Sequence, residues 1–173
     1  MINNVLMKKI IIIGCPGSGK STFARKLHTI TDIPLHYLDM MCWNSNKTKI
    51  EKSIFIDRLQ TVMNQDTWII DGNYQSTMEM RISACDTVIF LDYPLEVCLS
   101  GIRERQGKPR EDMPWVETED DEEFLEFIKG YIDNQRPKVL SLLEKYNDKN
   151  VIVFTSRSEA NEFLSRIGKL VQD

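Results

Sequence analysis

The eight residues Gly14-Cys15-Pro16-Gly17-Ser18-Gly19-Lys20-Ser21 follow the β-branched apolar run Lys8-Lys9-Ile10-Ile11-Ile12-Ile13. They precede a helical pattern carrying Phe23, Ala24, Leu27 and Ile30. No other stretch constrains the fold as strongly. The leading run is short and β-branched, which reads as a buried strand, and the trailing spacing reads as an amphipathic helix. Glycines let the intervening backbone curl, so that several N–H groups face one concavity at a helix N-terminus, where anions are favoured. Every fixed position of the pattern G-x-x-x-x-G-K-[ST] is filled in the strand–turn–helix context that it requires. The competing reading is a chance glycine-rich turn before an ordinary helix, and the match of motif and both flanks argues against it. The pattern implies that Gly14, Pro16, Gly17, Ser18, Gly19, Lys20, Ser21 and Thr22 wrap a nucleoside triphosphate. Lys20 then reaches its outer phosphates and Ser21 holds Mg²⁺.

Four further apolar runs, separated by helical patterns, predict a parallel sheet flanked by helices. They are Pro34–Leu38 ending at Asp39, Thr67–Ile70 ending at Asp71-Gly72, Thr87–Leu91 ending at Asp92, and Lys149–Phe154. Between them, Ile54, Phe55, Leu59, Val62 and Met63 mark one helix. Leu95, Cys98, Leu99 and Ile102 mark another, opened by Pro94. Ser156 with Glu159 is a capping-box signature ahead of a final helix bearing Ala160, Phe163, Leu164, Ile167 and Leu170. A long excursion separates the fourth and fifth strands. Residues 106–122, with Gly107, Pro109 and Pro114, are expected to form a lid. The acidic run Glu119–Glu123 is expected to start a helix. A long helix should then carry Ile128, Ile132, Leu140, Leu143 and Tyr146 on one face, kinked or split by Pro137. At 173 residues the chain reads as one domain with a lid insertion.

In open parallel sheets, ligands bind beyond the carboxyl ends of the strands. That topology gathers the loop, Asp39, Asp71 and Asp92 along one edge. An aspartate after a strand is also a common turn former or cap. Asp71 is the candidate for the metal shell with Ser21, and Asp39 for the acceptor, whose hydroxyl proton it would accept. Asp92, followed by Tyr93-Pro94, reads as a cap. Arg103, Arg105 and Arg110 flank the expected lid and Arg136 sits beside the kink. Guanidinium groups there would stabilise charge on a moving phosphoryl group, unless they form surface ion pairs with Glu104, Glu111 or Asp112. Arg81 suits either the acceptor pocket or a helix surface. Trp43 and Tyr74, just past strand ends, are base platforms or core edge. His28 and His36 lack metal spacing.

The formal charge of −4 argues against a nucleic-acid surface, which rewards clustered Lys and Arg. Cys15, Cys42, Cys85 and Cys98 are scattered without a C-x-x-C pair, as expected of reduced thiols in the cytoplasm. No run reaches membrane-spanning length, and no signal peptide is expected. The oligomeric expectation is a monomer or homodimer.

Gly14–Thr22, Tyr37-Leu38-Asp39 with Trp43, Trp68–Tyr74, Phe90-Leu91-Asp92, Pro109–Met113 and Arg136-Pro137 together carry a resemblance. The chain resembles the adenylate-kinase-like branch of P-loop kinases, and most of all the bacterial DNA topology modulation protein family. The likeness implies a three-layer α/β fold with a five-stranded parallel sheet in the order 2-3-1-4-5. It also implies ATP as donor, Mg²⁺ as cofactor, and an acceptor between Asp39 and Asp71. Catalytic roles would fall to Lys20, Asp39, Asp71, Arg105, Arg110 and Arg136. Asp39, Trp43, Asp71, Gly72, Asn73, Tyr74 and Arg81 would line the acceptor side. The chain departs from adenylate kinases at Asn73 and Tyr74, where they read Phe-Pro, and at Gly101, where they place an arginine against adenine. The expected function is phosphoryl transfer from ATP to a small molecule such as a nucleoside or nucleotide. The alternative is an ATP-binding regulatory or DNA-topology-associated protein with little transfer.

Overall fold

The computed structural model describes residues 7–118 and 121–172. The five described strands are β1 (Lys9–Gly14), β2 (Leu35–Tyr37), β3 (Trp68–Asp71), β4 (Thr87–Leu91) and β5 (Asn150–Phe154). They form one sheet in the order β2-β3-β1-β4-β5, parallel at every pairing. The described helices are α1 (Lys20–Thr31), α2 (Leu38–Cys42), α3 (Lys52–Met63), α4 (Gln75–Ala84), α5 (Leu95–Arg105), α6 (Glu122–Lys129), α7 (Tyr131–Asn134), α8 (Arg136–Lys145) and α9 (Arg157–Gln172). This is the three-layer architecture that the apolar runs predict.

The isoleucines of β1 show why the sheet is buried on both sides. Ile10 and Ile12 pack into one core with Phe23, Leu27, Phe163 and Leu164 of α1 and α9. Ile11 and Ile13 pack into another with Phe55, Leu59, Met78 and Val139 of α3, α4 and α8. Successive side chains of a strand point to opposite faces, so an unbroken apolar run requires helices above and below it.

Several expectations are corrected. Asp39 does not stand at a strand end: the chain turns into α2 at Leu38, putting Asp39 in that helix's first turn. The long helix is three helices, broken at Gly130 and Gln135, with Pro137 in the first turn of α8, where a missing N–H costs nothing. The break also redirects its faces. Ile128, Tyr131, Val139 and Leu143 are buried while Ile132 and Leu140 are exposed, and so are Ile54 of α3 and Leu170 of α9. Ser156 Oγ accepts from Glu159 N at 3.3 Å, but the glutamate reaches back to Thr155 N, at 2.8 Å, rather than to Ser156. Of the acidic run, Asp121 caps α6 by accepting from Phe124 N at 3.1 Å, and Glu122 and Glu123 fill its first turn. Glu119 and Asp120 lie outside the described residues. No helix among the described residues is long and apolar enough to cross a membrane.

Candidate active site

Gly14, Gly17 and Gly19 all have positive φ, with Gly17 at 83° and Gly19 at 93°. The loop curls around its own backbone, Ser18 N donating to Cys15 O at 3.1 Å. Gly17 is also pressed against α5. A Cβ on Gly17 would lie 2.0 Å from the Cys98 carbonyl oxygen, and one on Gly101 would lie 2.0 Å from that of Gly17. The two backbones touch, so neither position has room for a side chain. Cys15 is buried within the loop, and its hydrogen bond to Cys98 and its burial both hold its thiol protonated. Lys20 Nζ folds back onto Cys15 O at 3.2 Å.

Asp71, the last residue of β3, meets this loop. Ser21 Oγ donates to Asp71 Oδ2 at 2.5 Å, while Asp71 Oδ1 is buried with no hydrogen-bond partner among the described residues. Burial raises the Asp71 pKa to about 6, against the lowering influence of Lys20 and Ser21. Burial lowers the pKa of Lys20, and the Asp71 carboxylate opposes it. An unpartnered carboxylate oxygen beside a hydroxyl fits a hard divalent cation, which prefers oxygen donors.

The pKa of Asp71 carries a testable sign. Its folded value lies above the ordinary 3.8, so ionising it opposes folding. The penalty is absent below about pH 4, grows to about pH 6 and is constant above, reaching at most about 3 kcal/mol. Asp71→Asn should therefore gain melting temperature relative to wild type as pH rises through that window, then hold its lead. Scanning fluorimetry across pH checks this. A constant offset from pH 4 to pH 8 would contradict the burial of a costly carboxylate.

Two cavities flank the loop. One, about 470 Å³, runs over Gly17–Thr22 between α5 and α9, and includes Gly101, Arg157, Asn161 and Lys108. The second, about 870 Å³, opens beyond β2 and β3 and is lined by Asp39, Trp43, Asp71, Gly72, Asn73, Tyr74, Trp115 and Phe124, among others. Five residues line both: Lys20, Ser21, Arg105, Arg110 and Asp112.

Within the larger cavity a hydrogen-bond chain fixes Asp39. Trp43 Nε1 donates to Tyr74 Oη at 2.7 Å, and Tyr74 Oη donates to Asp39 Oδ1 at 2.7 Å. Burial raises the Asp39 pKa, opposed by the Tyr74 bond and by Lys20. Trp43 and Tyr74 thus buttress a carboxylate. Asn73 uses both ends of its amide on Gly14, Nδ2 donating to its carbonyl at 2.6 Å and Oδ1 accepting from its N–H at 3.1 Å. Sequence reading missed this splice between the β3 exit and the phosphate loop, because an asparagine after a strand looks like any turn residue.

The arginines divide. Arg105 makes a two-pronged pair with Glu117, at 2.8 and 3.1 Å. Arg110 lies 3.5 Å from Asp112 and 3.7 Å from Glu117, and its Nη2 is buried without a hydrogen bond. Arg103 is exposed and lines neither cavity. Two candidates are corrected. Arg136 lines neither cavity and grips Asp92 with two bonds of 2.7 Å, so Asp92 is an ion-pair partner rather than a cap. Arg81 is fully buried, its guanidinium donating to the carbonyls of Gly72, Asn73 and Tyr74, and it lines neither cavity. Burial lowers its pKa to about 9. It braces the turn that carries Asn73 and Tyr74. His28 Nδ1 sits 2.7 Å from Ile33 O, a structural contact. Among the described residues no cluster of three or more His, Cys, Asp or Glu is arranged to hold a metal.

No family model matches the chain, and no curated protein matches it. Solved structures do. A shikimate kinase from Acinetobacter baumannii in complex with shikimate matches with a TM-score of 0.63 at 15% identity, over 96% of this chain and 94% of that one. A shikimate kinase from Bacteroides thetaiotaomicron gives 0.57 at 16% identity, over 96% and 99%. A sugar kinase from Janibacter sp. gives 0.56 at 16%, over 96% and 95%. The chain therefore has the three-layer α/β fold of the P-loop kinases.

Proposed function

We propose that this protein is a P-loop phosphotransferase that moves the γ-phosphoryl group of ATP onto a hydroxyl of a small-molecule acceptor, such as a nucleoside. The supporting observation is that the two cavities share one border, formed by Lys20, Ser21, Arg105, Arg110 and Asp112. A donor in the smaller and an acceptor in the larger would meet there, and positioning supplies much of the rate in phosphoryl transfer. The loop amides and Lys20 bind the donor's phosphates, and Arg157 beside Gly101 offers a guanidinium plane near its base. Ser21 and Asp71 are the residues that would hold Mg²⁺. Bound there, that ion would neutralise phosphate charge. Asp39 takes the acceptor's hydroxyl proton, its orientation fixed by Tyr74. Residues 106–122, of which 119 and 120 lie outside the described residues, act as the lid, bringing Arg110 over the transferring group beside Arg105 of α5 and excluding water. The Asp-Gly-Asn-Tyr segment, through its likeness to the DNA topology modulation protein family, supports the same reading.

Radiolabelled γ-phosphate transfer, screened over nucleosides, nucleotides, sugars and hydroxy acids, tests it. One class should be labelled, and Asp39→Ala should reduce that transfer by about 10²–10⁴-fold. Mg·ATP binding without a labelled product in any class would favour the regulatory alternative.

A further inference from the structure

Residues 43–50 form a small hairpin arm on the rim of the larger cavity. Trp43 and Lys49 form an antiparallel bridge, Asn44 N donates to Thr48 O at 2.8 Å and Ile50 N to Cys42 O at 2.9 Å. The turn closes through Lys47 N to Asn44 O at 3.1 Å. Lys47 itself holds φ at 65°, a left-handed conformation that a lysine adopts at a cost of about 1 kcal/mol and that glycine or asparagine would take more easily. The arm thus retains a lysine at a position where local sterics favour other residues, and strain of this kind gathers at ligand sites.

Charge in the cavity wall points the same way. Arg105 and Arg110 are matched by Glu117 and Asp112, while the remaining carboxylates of the wall are engaged, Asp39 by Tyr74, Asp71 by Ser21 and Asp121 by Phe124 N. Lys47 and Lys49 line the same cavity, and among the described residues neither has a carboxylate partner. Lys49 Nζ instead hangs 4.9 Å above the Trp43 ring, which meets Trp115 edge-on at 5.3 Å. Phe124 and Phe127 continue this apolar wall. One cavity therefore combines the carboxylates of Asp39, Asp71, Asp112, Glu117 and Asp121, an aromatic wall and, among the described residues, two hairpin lysines outside any ion pair.

Building on the phosphotransferase reading, we infer that the acceptor is a ring-bearing molecule with an anionic group, phosphate or carboxylate, which the hairpin lysines Lys47 and Lys49 hold while the ring lies along Trp43 and Trp115. The anion then sits at the hairpin end and the reacting hydroxyl at the Asp39 end. The hairpin sets specificity by charge and the aromatic wall by shape.

The experiment uses the full chain, saturated with Mg²⁺ and a non-hydrolysable ATP analogue, and reads tryptophan fluorescence. Nucleoside 3′-monophosphates are titrated against the nucleosides, sugar monophosphates against the sugars, and shikimate against its methyl ester. In at least one pair the anionic member should bind about tenfold or more tightly than its neutral partner. The pair that responds distinguishes phosphate from carboxylate. The Lys47→Gln/Lys49→Gln double variant should lose that advantage while still binding the ATP analogue. Equal binding within every pair, no response to any compound, or an advantage that survives the double substitution overturns the inference. If the ATP analogue itself gives no thermal stabilisation of wild-type protein, the phosphotransferase reading fails. If it does and only the anion preference is missing, this inference alone fails.

Discussion

Lys20→Ala should lower phosphotransfer by at least about 10³-fold, with ATP affinity reduced as well. Lys20 stands on the border of both cavities and rests on the Cys15 carbonyl, a neutral acceptor that phosphate oxygens readily displace. Its ammonium is buried and its pKa depressed by that burial, so it has strong reason to take an anion when one arrives. Loss of the lysine should not unfold the protein. Alanine relieves the desolvation of the ammonium, and leaves Asp71 without the cation that most lowers its pKa. The Asp71 titration should consequently move above pH 6, visible as a displaced step in the melting temperature against pH. Turnover within about tenfold of wild type would remove Lys20 from the mechanism.

Arg81→Ala should be the most damaging substitution for stability outside the apolar cores, by about 3–5 kcal/mol. One guanidinium serves the carbonyls of Gly72, Asn73 and Tyr74 and also bonds Thr77 Oγ1 at 3.2 Å. Alanine leaves those carbonyls buried and unpaired, and leaves a space that the side chain filled completely. The alanine change also releases a buried cation, which offsets part of the loss, since burial, opposed by the Asp71 carboxylate, brings this guanidinium down to about 9. Lysine should recover less than about half, because it lacks the planar fork that reaches several acceptors at once. Denaturant midpoints at constant m-value measure both. Because the turn holds Tyr74, and Tyr74 holds Asp39, acceptor binding should weaken together with the fold.

What could be read from the chain alone depended on the range of the interaction. The phosphate loop was legible because its chemistry is local: glycines, lysine and serine at fixed offsets, between a strand and a helix. The parallel sheet followed from the β-branched runs, while its strand order came from the family likeness. Asp71 was placed for the same reason, as the residue ending a strand beside the loop. Contacts between distant segments were not legible. Nothing near Arg136 indicates that it reaches Asp92, 44 residues away, and nothing near Arg81 says that its helix turns inward. Asp39 was expected on the acceptor side, yet the turn into α2 and the Tyr74 bond that orients it depend on packing. Lys47, Lys49, Trp115, Glu117 and Arg157 escaped notice because single charged or aromatic residues in loops carry no spacing signal. Only the shape of the cleft collects them.

The contact between Gly17 and Gly101 means that the nucleotide motif is not self-sufficient. A chain that kept all eight residues but placed even a methyl group at position 101 would have to push α5 outward, since the Gly17 carbonyl already occupies that space. The helix would retreat from the wall of the smaller cavity and carry Arg105 with it. Positions 17 and 101 therefore behave as a single genetic locus. A saturation library spanning both would find few tolerated combinations, although 84 residues separate them and only one belongs to the recognised motif.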